Sequence, residues 1–270
     1  MLVRTLAAAV LLPVFIVIIY FAPLWTAAAA LCLLCILAAH EFTRPTGLVR
    51  SRAAAGIAMA AAGCIPWWMY FKLDAAWLLL GIFLLVTVLF TMAILRHDRI
   101  RAPEIFAALF GGAVLPFFLS LMLSVLMGEK GKYLVLMPFI AAWMSDTCAY
   151  FGGTFFGKHK LAPEISPKKT VEGSAIGIVG ACLFQLLYAW ILMHFFEIRL
   201  NIPAVILFGL AGAAVGQIGD LALSLVKREV GIKDYGKLMP GHGGVLDRFD
   251  SVIFILPLFC ALDRIFGMIL

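Results

Sequence analysis

Apolar residues run along this chain in long blocks separated by short polar stretches. The blocks are Thr5 to Phe21, Leu24 to Ala39, Ala53 to Phe71, Ala75 to Leu95, Ile105 to Met127, Tyr133 to Phe151, Ser174 to Phe196, Pro203 to Leu225 and Ser251 to Ile269. A helical membrane span needs about 20 mostly apolar residues. Backbone N–H and C=O groups find no partners in lipid, so runs of this kind close their hydrogen bonds internally as helices. The pattern predicts an all-α fold: a polytopic transmembrane helical bundle of about nine spans, with no soluble domain left over.

Composition agrees. Of 270 residues, 64% are hydrophobic and only 13% charged, and the mean hydropathy is +1.07. A soluble chain of this size has no need of so much apolar material. The first block follows Arg4 and resembles a signal peptide, but the apolar sequence resumes after Ala22-Pro23 without a convincing cleavage site, so it is read as a span. Cys32, Cys35, Cys64, Cys148, Cys182 and Cys260 lie in or beside apolar runs, which suggests neither a disulfide framework nor a zinc site.

Charge placement sets the expected orientation. With the amino terminus in the cytoplasm, the inside segments hold Arg4, the arginines at 44, 50, 52, 96, 99 and 101, the lysines at 158, 160, 168 and 169, and Lys227, Arg228, Lys233, Lys237 and Arg248. These are 16 of the 21 Lys and Arg residues. Lys72, Lys130, Lys132, Arg199 and Arg264 fall outside or near the far end of the last span. The bias alternates loop by loop as the positive-inside rule requires, predicting N-in to C-out. The net charge of +6 is then mostly topology, with attraction to anionic lipid or nucleotide, and asks for no nucleic-acid partner.

The chain has two blocks of different character, with no internal repeat. Residues 1–132 are apolar spans and short basic loops, in which only His40-Glu41 stands out, and a glutamate at a membrane interface is read as solvated. Residues 133–270 carry polar and ionisable groups inside the spans and dense Gly, Lys and Asp in the long loops, so they are the expected catalytic part of one integral membrane unit. Asp146 follows Ser145 inside the sixth span. A carboxylate near mid-membrane costs about 2.5 to 3.5 kcal/mol on insertion scales, so it is expected to face a polar cavity or a cation. Gly152 through Lys158 imitates a Walker A spacing, but His159 stands where Ser or Thr must hold magnesium and no strand precedes it. The glycines are instead expected to break the helix and bring amides towards phosphate, with helix packing as the plainer alternative. Two prolines, Pro163 and Pro167, should hold the chain extended ahead of Lys168 and Lys169, which can act as interfacial anchors or bind phosphate.

The second polar cluster runs from Gln217 to Asp250. On a helix, Asp220, Ser224 and Lys227 are spaced i, i+4 and i+7 and share a face leading to Arg228. His242 flanked by Gly241, Gly243 and Gly244 makes a turn whose amides can approach a ligand closely. Asp247 and Asp250, around Arg248, sit i, i+3 at the start of the last span, where a helix N-terminus favours negative charge. Several carboxylates with several cations at a membrane face describe a site that holds Mg²⁺ and neutralises a polyphosphate. Phosphoryl and nucleotidyl transfers need mainly positioning and charge stabilisation. A phosphate monoester nucleophile is already ionised at neutral pH, so His242 is assigned no role as base.

The run from Ser224 to Asp250, S-x-x-K-R, then K-D, then P-G-H-G-G-V-x-D-R-x-D, resembles the signature of the phosphatidate cytidylyltransferase family, the CDP-diacylglycerol synthases. The segments S-D-T-x-A-Y-F-G-G, G-K-H-K-L-A-P-x-I-S-P-K-K-T-V-E-G and Q-x-G-D-L are similar to that family too, and the similarity spans Ser145 to Asp250. The resemblance implies that CTP and phosphatidic acid react with Mg²⁺ to give CDP-diacylglycerol and pyrophosphate, in phospholipid biosynthesis at the cytoplasmic side of a bacterial inner membrane. Carried onto matching positions, it makes Asp220 and Asp247 the metal ligands and Asp146 and Asp250 supporting acids. It gives Lys168, Lys169, Lys227, Arg228 and Arg248 to the phosphates, and Ser166, Ser224, His242, Gly243 and Gly244 to substrate binding. It also suggests a monovalent cation such as K⁺ beside Mg²⁺, and a homodimer.

Two other readings stay open on residues alone. A CTP-dependent lipid kinase of the dolichol or phytol type would share the topology, the metal and the basic loops. A transporter could use Asp146 and Asp220 in a proton pathway but leaves the Gly, Lys and His-rich loops without a role.

Overall fold

In a computed structural model, residues 13–236 and 243–270 are described. Arg4, Lys237, His242 and the first part of the first expected span lie outside them. Helix α1 covers 13–20, and then α2 runs over Leu24–Thr43, α3 over Arg52–Tyr70 and α4 over Ala75–Leu95. The fifth expected span is a continuous rod of three pieces: α5 (Ala102–Leu109), a π-helical turn (Phe110–Val114) and α6 (Leu115–Leu126). After the short α7 (Gly131–Leu134) come α8 (Leu136–Phe156), strands β1 (Lys160–Ala162) and β2 (Ser166–Thr170), α9 (Val171–Phe195), α10 (Ile202–Glu229) and α11 (Leu246–Phe266). Among the described residues, seven helical segments are long and apolar enough to cross a membrane. The chain is an all-α polytopic membrane protein. α11, with charged residues at both ends, is not one of the seven. It starts five residues before the expected Ser251 because its acidic first turn is itself helical.

The chain packs as two compact units, Met1–Gly128 with Glu229–Phe249, and Glu129–Arg228 with Asp250–Leu270. In the first, α2, α3 and α6 meet through small side chains. Ala28, Cys35, Ala39, Ala54, Ala58 and Ala62 are all buried, letting backbones approach closely where lipid offers no hydrophobic drive. The π turn is part of this packing. A Cβ on Gly112 would stand 2.7 Å from the Cα of Ala58, so only glycine fits where the wider turn presses on α3. Ser51 caps α3 by accepting from the Ala54 amide at 3.3 Å, and the buried Glu104 accepts from the amides of Arg50 and Ser51 at 2.8 and 3.3 Å. Helix α4 buries only Leu85 and Leu89 and shows Leu79, Phe83 and Ile94 outward, as a lipid-facing helix does.

In the second unit, α8 and α9 lie against each other along glycines. A Cβ on Gly152 would meet Ile176 at 2.8 Å, one on Gly173 the Ala149 carbonyl at 2.7 Å, and one on Gly177 the Ser145 carbonyl at 2.7 Å. Of the glycines expected to break the helix, only Gly157 does so, as the C-cap of α8, and at Gly152 and Gly153 the packing alternative holds. α8 continues through them to Phe156, and the missing side chains serve packing. The extended chain expected around Pro167 is β2, antiparallel to β1 with Lys160 opposite Thr170 and Ala162 opposite Ser166. Thr170 then caps α9, accepting from the Gly173 amide at 3.1 Å. Gly216 and Gly219 let α10 approach α11, where added Cβ atoms would meet Ile255 and Phe254 at 2.7 Å. All six cysteines are free thiols.

Candidate functional site

In the second unit, polar side chains from the middle of α8, the start of α9, the second half of α10, the first turns of α11 and strand β2 come together. Gln217 on α10 joins three helices. Its Nε2 donates to Ser145 Oγ on α8 at 2.9 Å and to the Ser174 carbonyl on α9 at 3.2 Å, and its Oε1 accepts from the Ser174 hydroxyl. One turn further, Asp220 Oδ1 accepts from Ser224 Oγ at 3.2 Å, which is the i, i+4 pair read from spacing. Asp220 Oδ2 pairs with the ammonium of Lys169 from β2. Along β2, Lys169 is half-buried whereas its neighbour Lys168 is exposed.

Lys227, two turns beyond Asp220, is only 8% exposed. Asp250 at the start of α11 lies within electrostatic reach of Asp220, Lys227 and Asp146, and its Oδ1 accepts from the Ser251 amide at 2.9 Å. Gly219 makes that placement possible, since a Cβ there would stand 2.9 Å from the Asp250 carbonyl oxygen. Sequence reasoning thus named Asp146, Asp220, Ser224, Lys227, Asp250 and Lys169, and the fold brings them into one neighbourhood. Arg228 is exposed, and its Nε donates to the Ile165 carbonyl at 3.1 Å, tying the end of α10 to the β-hairpin. Glu172 was not singled out. It accepts from the amides of Lys158 and His159 at 3.0 and 3.2 Å and lies 2.6 Å from His159 Nδ1, fixing the basic turn that leads into β1.

The first unit holds a separate constellation around Asp247. Its Oδ2 accepts from the amides of Tyr235 and Gly244, at 2.8 and 2.9 Å. Gly243 has a φ of +83° and a Cβ there would stand 2.8 Å from the same oxygen, so the turn is one that glycine alone takes without strain. Glu41, expected to be solvated, is 4% exposed. Its carboxylate accepts from Val245 and Leu246, at 3.0 and 2.9 Å, where α11 begins. Arg248, on the same first turn, is exposed.

The acidic groups offer only carboxylate oxygens, the donor set of a hard cation such as Mg²⁺. A carboxylate has about four lone-pair sites, so the bonds to Lys169 and Ser224 leave Asp220 compatible with a metal. Among the described residues, no three His, Cys, Asp or Glu side chains converge as a metal cage.

Comparison with known proteins assigns the chain to a family. The model of the cytidylyltransferase family matches residues 2–266, and the chain belongs to that family. It is similar to the phosphatidate cytidylyltransferase of Staphylococcus haemolyticus (strain JCSC1435), 43% identical over 130 residues that cover 48% of each chain. The protein of the same name from Staphylococcus epidermidis (strain ATCC 12228 / FDA PCI 1200) is also 43% identical over 130 residues, and that of Staphylococcus aureus (strain COL) 42%, again with 48% of each chain covered. The alignment thus spans about half the length of the curated relatives it matches.

Proposed function

We propose that this chain transfers CMP from CTP to phosphatidic acid, giving CDP-diacylglycerol and pyrophosphate, at the cytoplasmic face of a bacterial inner membrane. What carries the reading is the cluster of Asp220, Lys169 and Ser224, with Lys227 and Asp250 beside it, in a membrane chain of the cytidylyltransferase family. An oxygen of the phosphatidate phosphate forms a bond to the α-phosphorus of CTP. The bond from that phosphorus to the bridging oxygen breaks, and pyrophosphate leaves with the electron pair. The attacking phosphate is already ionised, so no side chain has to take its proton.

The work left to the protein is holding two polyanions together and absorbing charge. Lys168, Lys169, Lys227, Arg228 and Arg248 are the proposed phosphate donors, and Ser166, Ser224, His242, Gly243 and Gly244 the proposed substrate contacts. Asp220 and Asp247 are the proposed carboxylate ligands of Mg²⁺, with Asp146 and Asp250 as supporting acids. When bound, the cation supplies a Lewis acid that neutralises phosphate oxygens. The test is acceptor dependence. The purified chain in detergent with Mg²⁺ should release pyrophosphate from CTP only when phosphatidate is present, with CDP-diacylglycerol in the lipid extract. Equal CTP turnover with diacylglycerol or a polyprenol as the only lipid would overturn the reading.

A further inference from the structure

Glu41 is far in sequence from every motif in the second half of the chain, yet its carboxylate ends a path that leads to Asp247. Helix α2 is apolar from Ala27 to Ala39, and at its last turn Glu41 and Phe42 turn into the first unit. Phe42 stacks on the fully buried Tyr235, ring centroids 6.2 Å apart. The Glu41 oxygens accept from Val245 and Leu246, two of the amides that the start of α11 leaves without helical partners. The adjacent amide, Gly244, and the amide of Tyr235 go to Asp247. Four backbone donors from two segments are thus divided between two carboxylates.

Two glycines record how closely this is built. A Cβ on Gly236 would stand 2.3 Å from Glu41 Oε1, and one on Gly244 2.4 Å from both oxygens. Neither glycine has a positive φ, so it is the carboxylate, and not backbone conformation, that forbids a side chain there. The carboxylate is held by the N-terminal dipole of α11 as well as by the two amides. We propose that Glu41 is a positioning residue for the transfer reaction, a role that rests on the CMP-transfer reading: it fixes the Gly244–Leu246 segment and thereby the carboxylate of Asp247. It touches neither substrate nor metal.

The test uses the full chain in detergent with E41A, E41Q, G236A and the E41A/G236A pair. E41A should lower kcat by about 10–100-fold and raise the Mg²⁺ concentration needed for half-maximal rate by a similar factor, as loss of a residue that orients a metal ligand does. A merely structural role would not move the Mg²⁺ dependence. G236A should have the same effect, because the carboxylate can give way only by releasing Val245 and Leu246. The pair should lose much less than the product of the two, because the severe clash disappears with the carboxylate and only a 3.0 Å approach to the Gly244 Cα is left. Amide hydrogen exchange over residues 243–249 should quicken by about tenfold in E41Q, the scale of one lost buried hydrogen bond, while α8 and α9 stay unchanged. Additive losses in the pair, or E41A and G236A rates within about twofold of wild type, would overturn the role. Should wild type transfer no CMP at all, the reaction reading fails, and unchanged exchange over 243–249 in E41Q still overturns the positioning role.

Discussion

The ammonium of Lys169 on β2 rests on Oδ2 of Asp220 on α10, 51 residues further along the chain. This lysine is half-buried and its neighbour exposed, and the hydroxyl of Ser224 holds the other oxygen of the same carboxylate at 3.2 Å. On the proposed reading, a cation held in this way is oriented ahead of the phosphate it would bind, which lowers the cost of ordering it.

Replacing either partner should therefore cost more than a surface ion pair would. Lys169→Met or Asp220→Asn should lower kcat/KM for CTP by on the order of 10²-fold or more, the scale of a lost preorganised charge contact. The double variant should lose less than the product of the two, since the ion pair they share is lost only once, while the proposed metal contact of Asp220 and the proposed phosphate contact of Lys169 are lost separately. Lys168→Met, on the exposed side of the strand, should have a smaller effect. The measurement is steady-state pyrophosphate release over a CTP series for the four proteins. Multiplicative losses would show that the pair does not act as a unit.

A second expectation concerns the stability of the helices that carry the site. Gly177→Ala puts a methyl group 2.7 Å from the backbone oxygen of Ser145, which cannot rotate away. Overpacking of this kind costs about 1–3 kcal/mol. Gly56→Ala on α3 meets nothing within 4 Å and gains helix propensity, so it should be neutral or mildly stabilising. Thermal unfolding of the two variants in the same detergent checks the contrast. A Gly177→Ala midpoint equal to wild type would contradict the close approach of α8 and α9.

These two variants also mark what could be read in advance. The spans were legible because a run of about 20 apolar residues has one stable form in lipid. The pair Asp220 and Ser224 was legible because helical spacing places i and i+4 together. Gly152 and Gly153 were misread, because a glycine that ends a helix and one that admits a neighbouring helix look alike in sequence. The recurrence of Gly173, Gly177 and Gly180 at helical spacing on the next segment was the signal for packing. Gln217 was quoted within a motif without a role, as nothing local shows that its partners are Ser145 and Ser174. Glu41 was read as solvated because its partners, Val245 and Leu246, lie 204 and 205 residues away.

Orientation gives a third prediction, from the 16 of 21 basic residues that fall on one set of alternating loops. A reporter active only in the cytoplasm, inserted beside Lys160, should be active. The same reporter inserted beside Lys130, in the turn between α6 and α7, should be silent, and a periplasmic reporter should show the reverse. Both sites on the same side would refute the arrangement in which the Lys169 and Asp220 cluster faces the cytoplasm.

The last prediction decides which phosphorus of CTP is attacked, and so separates cytidylyl transfer from a lipid kinase in the same membrane with the same nucleotide. Attack at the α-phosphorus joins CMP to the lipid phosphate and expels pyrophosphate. Attack at the γ-phosphorus moves one phosphoryl group to an alcohol and leaves CDP. The residues favour the first, since Lys169 and Lys227 stand by Asp220 and Asp250. An alcohol acceptor has its hydroxyl proton to lose and benefits from a base, whereas a phosphate acceptor brings its own charge and needs cations. Label in the α-phosphate of CTP should enter the lipid fraction in step with phosphatidate consumption, and label in the γ-phosphate should appear in pyrophosphate. Asp220→Asn should reduce both signals together, because one step produces both. Lipid labelled from the γ-position, with CDP as the co-product, would transfer the assignment to a kinase.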